Sequence, residues 1–400
     1  MKGGGALSGK TGAILVLILA QVACMSLWFA SAAILADMQA ETPIAPARAA
    51  MLSSAVQAGF VIGALGMAFA GLADRFDPRR VFLACAFAAA GANALLLLAP
   101  IGGMKAVFLR GLTGAALAGV YPVGMKIAVG WGETDRGLLV GLLVGALTIG
   151  SAAPHGVALL GGADWRLVIL TTSAAAIAGG LLILAVKLGP FHARAPAFDP
   201  RAIRIAWTDR RIRLAYAGYL GHMWELYAMW AWIGVAASAG YAASLSGDAA
   251  IAFGKATAFI AIGVGGPACV LAGLLADRIG KAEVTIIAMG LSGALAAATA
   301  LSLGGPPALT LLLAASWGFF VIADSAQFSA LVADAAPAEF AGSLLTLQTA
   351  LGFGLTIFTV QLAPLAAAEF GWRATFMSLA AGPALGVLAM ARLRSILRAR

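Results

Sequence analysis

Apolar runs of about twenty residues recur along almost the whole chain, separated by short clusters rich in charge, Pro or Gly. The breaks divide the chain into twelve runs, at 11–36, 49–72, 80–99, 104–128, 137–161, 166–187, 213–240, 251–276, 283–303, 308–333, 342–366 and 374–391. A helix needs about 20 predominantly apolar residues to cross the hydrocarbon core of a bilayer. The pattern therefore predicts twelve membrane helices, numbered here spans 1 to 12.

Composition supports that solvent. The chain is 62% hydrophobic and 11% charged, whereas soluble domains are about half apolar and a quarter charged. The fold class expected is an all-α membrane protein. The run from Thr11 follows Lys2 and Lys10, is too long for the apolar core of a secretory signal and shows no clear cleavage site, so it is read as span 1. Cys24, Cys85 and Cys269 stand singly in apolar segments, which points to neither disulfide nor metal. No metal and no cofactor is expected.

Charge orients the chain. With the N-terminus placed in the cytoplasm, 20 Lys and Arg fall on the cytoplasmic side, 5 on the other, and Arg110 remains within span 4. This is the positive-inside asymmetry, and it puts both termini in the cytoplasm of a multi-pass protein of the inner membrane. It also accounts for the net charge of +9: basic loops beside anionic lipid need no nucleic acid.

The longest polar stretch, 188–212, carries Pro190, Pro196 and Pro200 and separates six spans from six. The expected domains are a six-helix bundle over 1–187, a cytoplasmic linker over 188–212 and a second bundle over 213–400. The halves repeat: "LADR" recurs at 72–75 and 275–278, "LTI" at 147–149 and 355–357, and "WR" at 165–166 and 372–373, with offsets of 203, 208 and 207. Three ordered matches at nearly one offset indicate a duplicated unit and pseudo-symmetric bundles, an arrangement that transporters use to build a site between the halves.

The loop after span 2, Ala70-Gly71-Leu72-Ala73-Asp74-Arg75-Phe76-Asp77-Pro78-Arg79-Arg80, and the loop after span 8, Gly273-Leu274-Leu275-Ala276-Asp277-Arg278-Ile279-Gly280-Lys281, both resemble the "GxLADRxGRR" loop of the major facilitator superfamily. Span 4 adds Arg110-Gly111-Leu112-Thr113-Gly114, similar to that family's "RxxxG" motif. The first loop departs at Ala70 and at Asp77-Pro78. Span 5 lacks the antiporters' "GxxxGPxxG": Ala146 follows Gly145, and Pro154 comes later. The resemblance covers essentially the whole chain. It implies a secondary transporter with a central cavity lined by spans 1, 4, 7 and 10, and a conformational latch at Asp74, Arg75, Arg79, Asp277, Arg278 and Lys281. A carboxylate at a span end can accept bonds from a helix N-terminus or pair with Arg, although obedience to the positive-inside rule also explains the bases.

Once the acids are assigned to loops, only Glu225 and Asp324 remain deep in spans, with Arg110 as the one deep base. Intramembrane charge is costly and marks function by default. Helical spacing groups Tyr219, His222 and Glu225 on one broad face of span 7, and Trp317, Phe320, Asp324 and Gln327 on span 10. Gln21, Met25 and Trp28 form a stripe on span 1, and Arg110, Thr113 and Tyr121 one on span 4. Glu225, Asp324, Arg110, His222, Tyr219 and Gln327 are the candidates for solute or proton coupling. Gln21, Met25, Trp28, Thr113, Tyr121, Trp317 and Phe320 are the candidate cavity lining. Desolvation favours the protonated carboxyl and a nearby cation the ionised one, so such a group can load and release a proton. A structural use also fits: Glu225 bonding His222 or a Tyr, and Asp324 bonding Gln or Ser between helices.

The chain carries no nucleotide-binding loop of the Gly-x-x-x-x-Gly-Lys-Ser/Thr type. The function expected is secondary active transport of a small organic solute by alternating access, coupled to protons, by a monomer in the bilayer. Alternatives are a proton-driven exporter of amphipathic or toxic compounds and a transport-like sensor or scaffold. A nitrate-type anion permease would place arginines deep in spans 2 and 8, and none lies there. Three scattered histidines offer no clustered catalytic set, so no enzyme is expected.

Overall fold

The computed structural model describes residues 9–133, 135–161, 164–192 and 198–399. Lys2, Arg194, Pro196 and Arg400, which enter the charge count and the linker above, lie outside the described residues. The described residues form helices and no strand. Span 1 comprises Lys10–Met25 and Ala30–Glu41; span 2 is Pro46–Ala70; span 3 is Pro78–Ala94 with the 3₁₀ turn Leu95–Leu98; span 4 comprises Met104–Leu117 and Tyr121–Val129. Span 5 is Arg136–Leu160 and span 6 Trp165–Leu182. Span 7 is Arg210–Tyr241; span 8 comprises Gly247–Gly263 and Gly265–Ile279; span 9 is Lys281–Ser302; span 10 comprises Pro307–Ala323 and Ser325–Ala335. Spans 11 and 12 divide at Gly371 (φ 79°) inside Ala341–Leu379, and Ala381–Arg398 completes span 12.

Among the described residues ten helical runs are long and apolar enough to cross a membrane, and the 61-residue run Ala338–Arg398 holds two spans. The twelfth, Arg210–Tyr241, is 32 residues long but is not one of the ten. Its Arg, His, Glu, Tyr and Trp dilute its hydropathy, so the span with the most polar chemistry is the least membrane-like by composition.

The ends follow local chemistry. Pro46, Pro78 and Pro307 each open a span in its first turn, where a missing N–H costs nothing. Asp77 and Asp209 cap the helices that follow by accepting the N–H of Arg79 (2.9 Å) and Arg211 (2.7 Å). Gly71, left-handed at φ 60°, stops span 2. The Arg79 side chain beside Asp77 holds that carboxyl below the usual range, and Lys10 does the same for Asp135 ahead of span 5.

The bundles pack alike. Span 2 lies on span 4 and span 8 on span 10. Both contacts need glycine, because a Cβ at Gly114 would collide with the Val56 carbonyl and one at Gly318 with that of Ala261. Across the halves, span 2 meets span 11 and span 5 meets span 8. Gly141 and Gly145 of span 5 face Cys269 and Gly266 there, so the span-5 glycines serve close packing. The stretch 188–212 holds a short helix, Arg201–Thr208, with Ala202 and Ala206 buried. It is tied to span 11 by the Asp199 N–H, which donates to Ser343 Oγ at 2.8 Å.

Candidate functional site

Three of the four expected cavity-lining spans are broken at mid-membrane. Span 4 breaks before Tyr121-Pro122, because Pro122 removes a backbone donor. Span 10 breaks at Asp324, which ends one helix and begins the next. Span 1 breaks at Ser26–Phe29 with neither Pro nor Gly. Its cause is Arg110 of span 4, whose Nη2 donates to the carbonyls of Leu27 (2.9 Å) and Trp28 (2.7 Å). Nη1 donates to Asn93 Oδ1 at 3.0 Å, and Asn93 in turn donates to Ser173 Oγ at 3.0 Å. Both terminal nitrogens of Arg110 are therefore spent on bracing spans 1 and 3, and through Asn93 span 6, while its buried Nε has no partner and no carboxylate lies against it among the described residues. Thr113 beside it is buried and donates to its own helix at Leu109, 2.9 Å.

The single broad face expected on span 7 is divided. At about 100° per residue, Tyr219 and Glu225 lie roughly 120° apart, too far to meet one surface. Glu225 turns into its own bundle, accepting Ser292 Oγ–H (2.7 Å) from span 9 at Oε2 and Trp317 Nε1–H (2.7 Å) from span 10 at Oε1. Trp317 is fully buried against Phe376 of span 12, so neither residue lines the interface between halves. His222 does not pair with Glu225: its Nδ1 lies 2.9 Å from Asp324 Oδ1, in ion-pair range but not aligned as a hydrogen bond, and Nε2 has no partner. His222 and Asp324 are both almost wholly buried. Tyr219 stacks on His222 (6.1 Å) and meets Phe328 edge-on (5.9 Å). Gln327 is buried one turn beyond the break in span 10, whereas Phe320 is half-buried and packs on Phe319.

The other face of span 7 meets the first bundle. Tyr227, which helical spacing puts off the Tyr219–His222–Glu225 face, lies 5.9 Å from the rings of Trp28 and Phe29 and 5.0 Å from Phe353. Trp28 also packs on Phe60 at 4.8 Å and Phe353 at 5.5 Å, and Phe29 on Trp230 at 5.7 Å. These rings form an aromatic layer joining spans 1, 2, 7 and 11. Toward the face carrying the termini, Gln21 of span 1 and Gln348 of span 11 are buried with both carboxamide atoms unpaired. Gln21 Oε1 lies against Gly124 and Met25 against Gly150. Tyr121 is half-buried at the start of the second half of span 4. A hollow of about 480 Å³ lies elsewhere, between spans 3 and 4, and is lined by Leu95, Leu98, Met104 and Phe108; it is an apolar outer surface and no part of this site.

At the termini face, Asp74 pairs with Lys126 of span 4, whose Nζ also donates to Ala73 O at 3.1 Å. Arg79 bonds Asp77 (2.6 Å) and the Val186 carbonyl (3.4 Å). Lys281 pairs with Asp334 at 2.5 Å. Arg75, Asp277 and Arg278 are exposed and make no ion pair among the described residues. Lys126 of span 4 and Asp334 of span 10 are thus the partners that the loop motif alone could not name. A further pair carries no signal in the sequence: Asp37, one residue past the expected end of span 1, and Lys255, one of the five bases on the side opposite the termini, are both buried and bonded at 2.8 Å.

The sequence model of the Major Facilitator Superfamily matches residues 16–360. Among curated proteins none matches the chain. Among solved structures it is similar to the nucleoside transporter NupG, in a mutant form, at 14% identity and TM-score 0.69, over 95% of this chain and 99% of that one. It is also similar to the proton:xylose symporter XylE bound to 6-bromo-6-deoxy-D-glucose, at 14% identity and TM-score 0.70, over 96% of each chain.

Proposed function

The chain belongs to the Major Facilitator Superfamily, and from that premise we propose that it is a secondary transporter that moves a small polar organic solute by alternating access, coupled to protons. Residues 1–187 and 213–400 are taken as the moving bodies and 188–212 as their tether. The asymmetry of basic residues supports a place in the inner membrane with both termini cytoplasmic.

The observation that carries the reading is the His222–Asp324 pair, 2.9 Å apart and buried at the break in span 10. A titratable pair at a discontinuous helix near mid-membrane is a fitting place to exchange a proton between two orientations of the bundles. Glu225 has two fixed donors in one bundle and serves as a brace. Gln21, Gln327, Tyr121 and Tyr219 offer hydrogen bonds to a solute, and Trp28 an aromatic wall. The named solutes of the two similar structures, a nucleoside and xylose, are hydroxyl-rich, which suits unpaired carboxamides. The test is uptake into proteoliposomes across a panel of sugars and nucleosides. Asp324→Asn should lose accumulation driven by a pH gradient while keeping solute exchange at equilibrium. Full gradient-driven accumulation by Asp324→Asn would remove the proposed proton site.

A further inference from the structure

We propose that Asp37 and Lys255 form the gate of the membrane face opposite the termini, an ion pair that closes the path there and separates once per cycle; this rests on the alternating-access reading above. Asp37 belongs to span 1 and Lys255 to span 8, 218 positions apart, and Lys255 Nζ lies 2.8 Å from each carboxylate oxygen. Nζ also donates to the carbonyl of Ala158 in span 5, at 3.5 Å. The side chains are 5% and 10% exposed. Among the described residues this is the only ion pair that joins the two bundles; the others lie within one bundle or beside the tether.

Its position makes it a gate. Asp37 lies four residues before the end of span 1 at Glu41, about 6 Å from that end at the helical rise. Two further side-chain bonds between bundles fall in the same half of the membrane: Ser54 Oγ to Gln361 Oε1 at 2.9 Å and Gln361 Nε2 to the Ala47 carbonyl at 3.4 Å. Beneath them lies the aromatic layer of Trp28, Phe29, Phe60, Tyr227, Trp230 and Phe353, and beneath that the buried polar centre. The far face is thus sealed twice, by charge and then by rings. An ion pair suits a seal that must reopen, because charges that part into water recover their hydration, whereas removing one charge leaves the other buried without compensation. Loss of either charge therefore works against the closed state, and exchanging the two charges preserves it.

Ala33 supplies the reporter. It lies one turn from Phe29 and one turn from Asp37 on the same stripe of span 1, and it is buried. In the full chain with Cys24, Cys85 and Cys269 replaced by Ser, Ala33→Cys is labelled from the far side of proteoliposomes with a membrane-impermeant maleimide. Asp37→Asn and Lys255→Met should each speed labelling by about tenfold or more, and Asp37→Lys combined with Lys255→Asp should return it toward the slow rate. Unchanged labelling in both single variants overturns the gate. So does a reversed pair that folds, by gel filtration and thermal melt, yet labels as fast as the single variants. A control separates this from the parent reading: with the native pair, labelling must respond to a transmembrane pH gradient. If it responds to neither sign of gradient, proton-coupled alternating access fails and the gate with it; if it responds while the single variants label like the native pair, only the gate fails.

Discussion

Replacing Glu225 separates two uses of a buried carboxylate. In the structure it accepts one bond from Trp317 Nε1 and one from Ser292 Oγ, each at 2.7 Å. Glu225→Leu strands both donors in the core of the second bundle. A buried donor left unpaired costs about 1–3 kcal/mol, so the two together cost about 2–6 kcal/mol. Glu225→Gln keeps a carbonyl oxygen for Trp317 and turns an N–H toward Ser292, whose hydroxyl accepts as readily as it donates; the expected cost is below about 1.5 kcal/mol. Unfolding is followed with a thiol-reactive dye, since Cys24 and Cys269 are buried free thiols that react only as the fold opens. The Gln variant should unfold near the native temperature and still accumulate solute down a pH gradient, and the Leu variant should unfold well below it. A folded Gln variant without accumulation would refute the argument and move proton coupling from Asp324 back to Glu225. A Gln variant as unstable as Leu would show that the charge, not the bonding, holds the site.

Arg110→Lys should destabilise by about 2–4 kcal/mol, since an ammonium cannot reach Asn93 and two successive carbonyls at once as the planar fork does; the same melt checks it, and a native-like melt would contradict the assigned cause of the break in span 1. Asp77→Ala should cost about 1 kcal/mol through the lost helix cap. The Asp77 carboxyl is held below the usual range by Arg79, so its contribution is full above the unfolded carboxylate value of about 4 and fades as pH falls through the depressed folded value; hydrogen exchange of the Arg79 amide should lose protection in that acidic window and not between pH 6 and 8. Gly318→Val should prevent close packing of span 10 on span 8, costing about 1–3 kcal/mol or more, with loss of folded yield as the readout.

What the sequence made legible was periodic and local. Twelve spans follow from run length, and several starts coincide with Pro or a capping Asp, as at Pro46, Pro307 and Asp209, so the ends shift by only a few residues, as at Arg210 against an expected 213. Polar stripes on spans 1, 4, 7 and 10 were visible as well, but on span 7 the stripe divides between different neighbours. Pairings were not. Glu225 and Tyr219 share one side of a helical wheel, but a neighbour on each flank of span 7 takes a different part of that arc. Arg110 stood as a coupling candidate because its partners are backbone carbonyls exposed only once span 1 breaks. Asp37 and Lys255 each look like ordinary far-side charges until residues 218 apart are brought together.

The duplication explains why such pairings escape pattern reading. Applying the repeat offset of 208 to Lys126 gives Asp334, and both residues anchor the loop that follows the second span of their own bundle. The ion pair is kept, but its polarity is reversed: in the first bundle the loop supplies the acid Asp74, and in the second the base Lys281. Applied to Arg110, the same offset gives Gly318, the position at which span 10 touches span 8 most closely. A buried cation that braces one copy thus corresponds to a bare backbone contact in the other. The second copy instead buries its charge at Asp324, close to the level where span 4 breaks at Tyr121. The scaffold repeats because packing selects small residues and helix ends at fixed spacing. The charges do not repeat, because a transport site placed between two copies needs its titratable pair on one side only, with the other bundle held rigid against it.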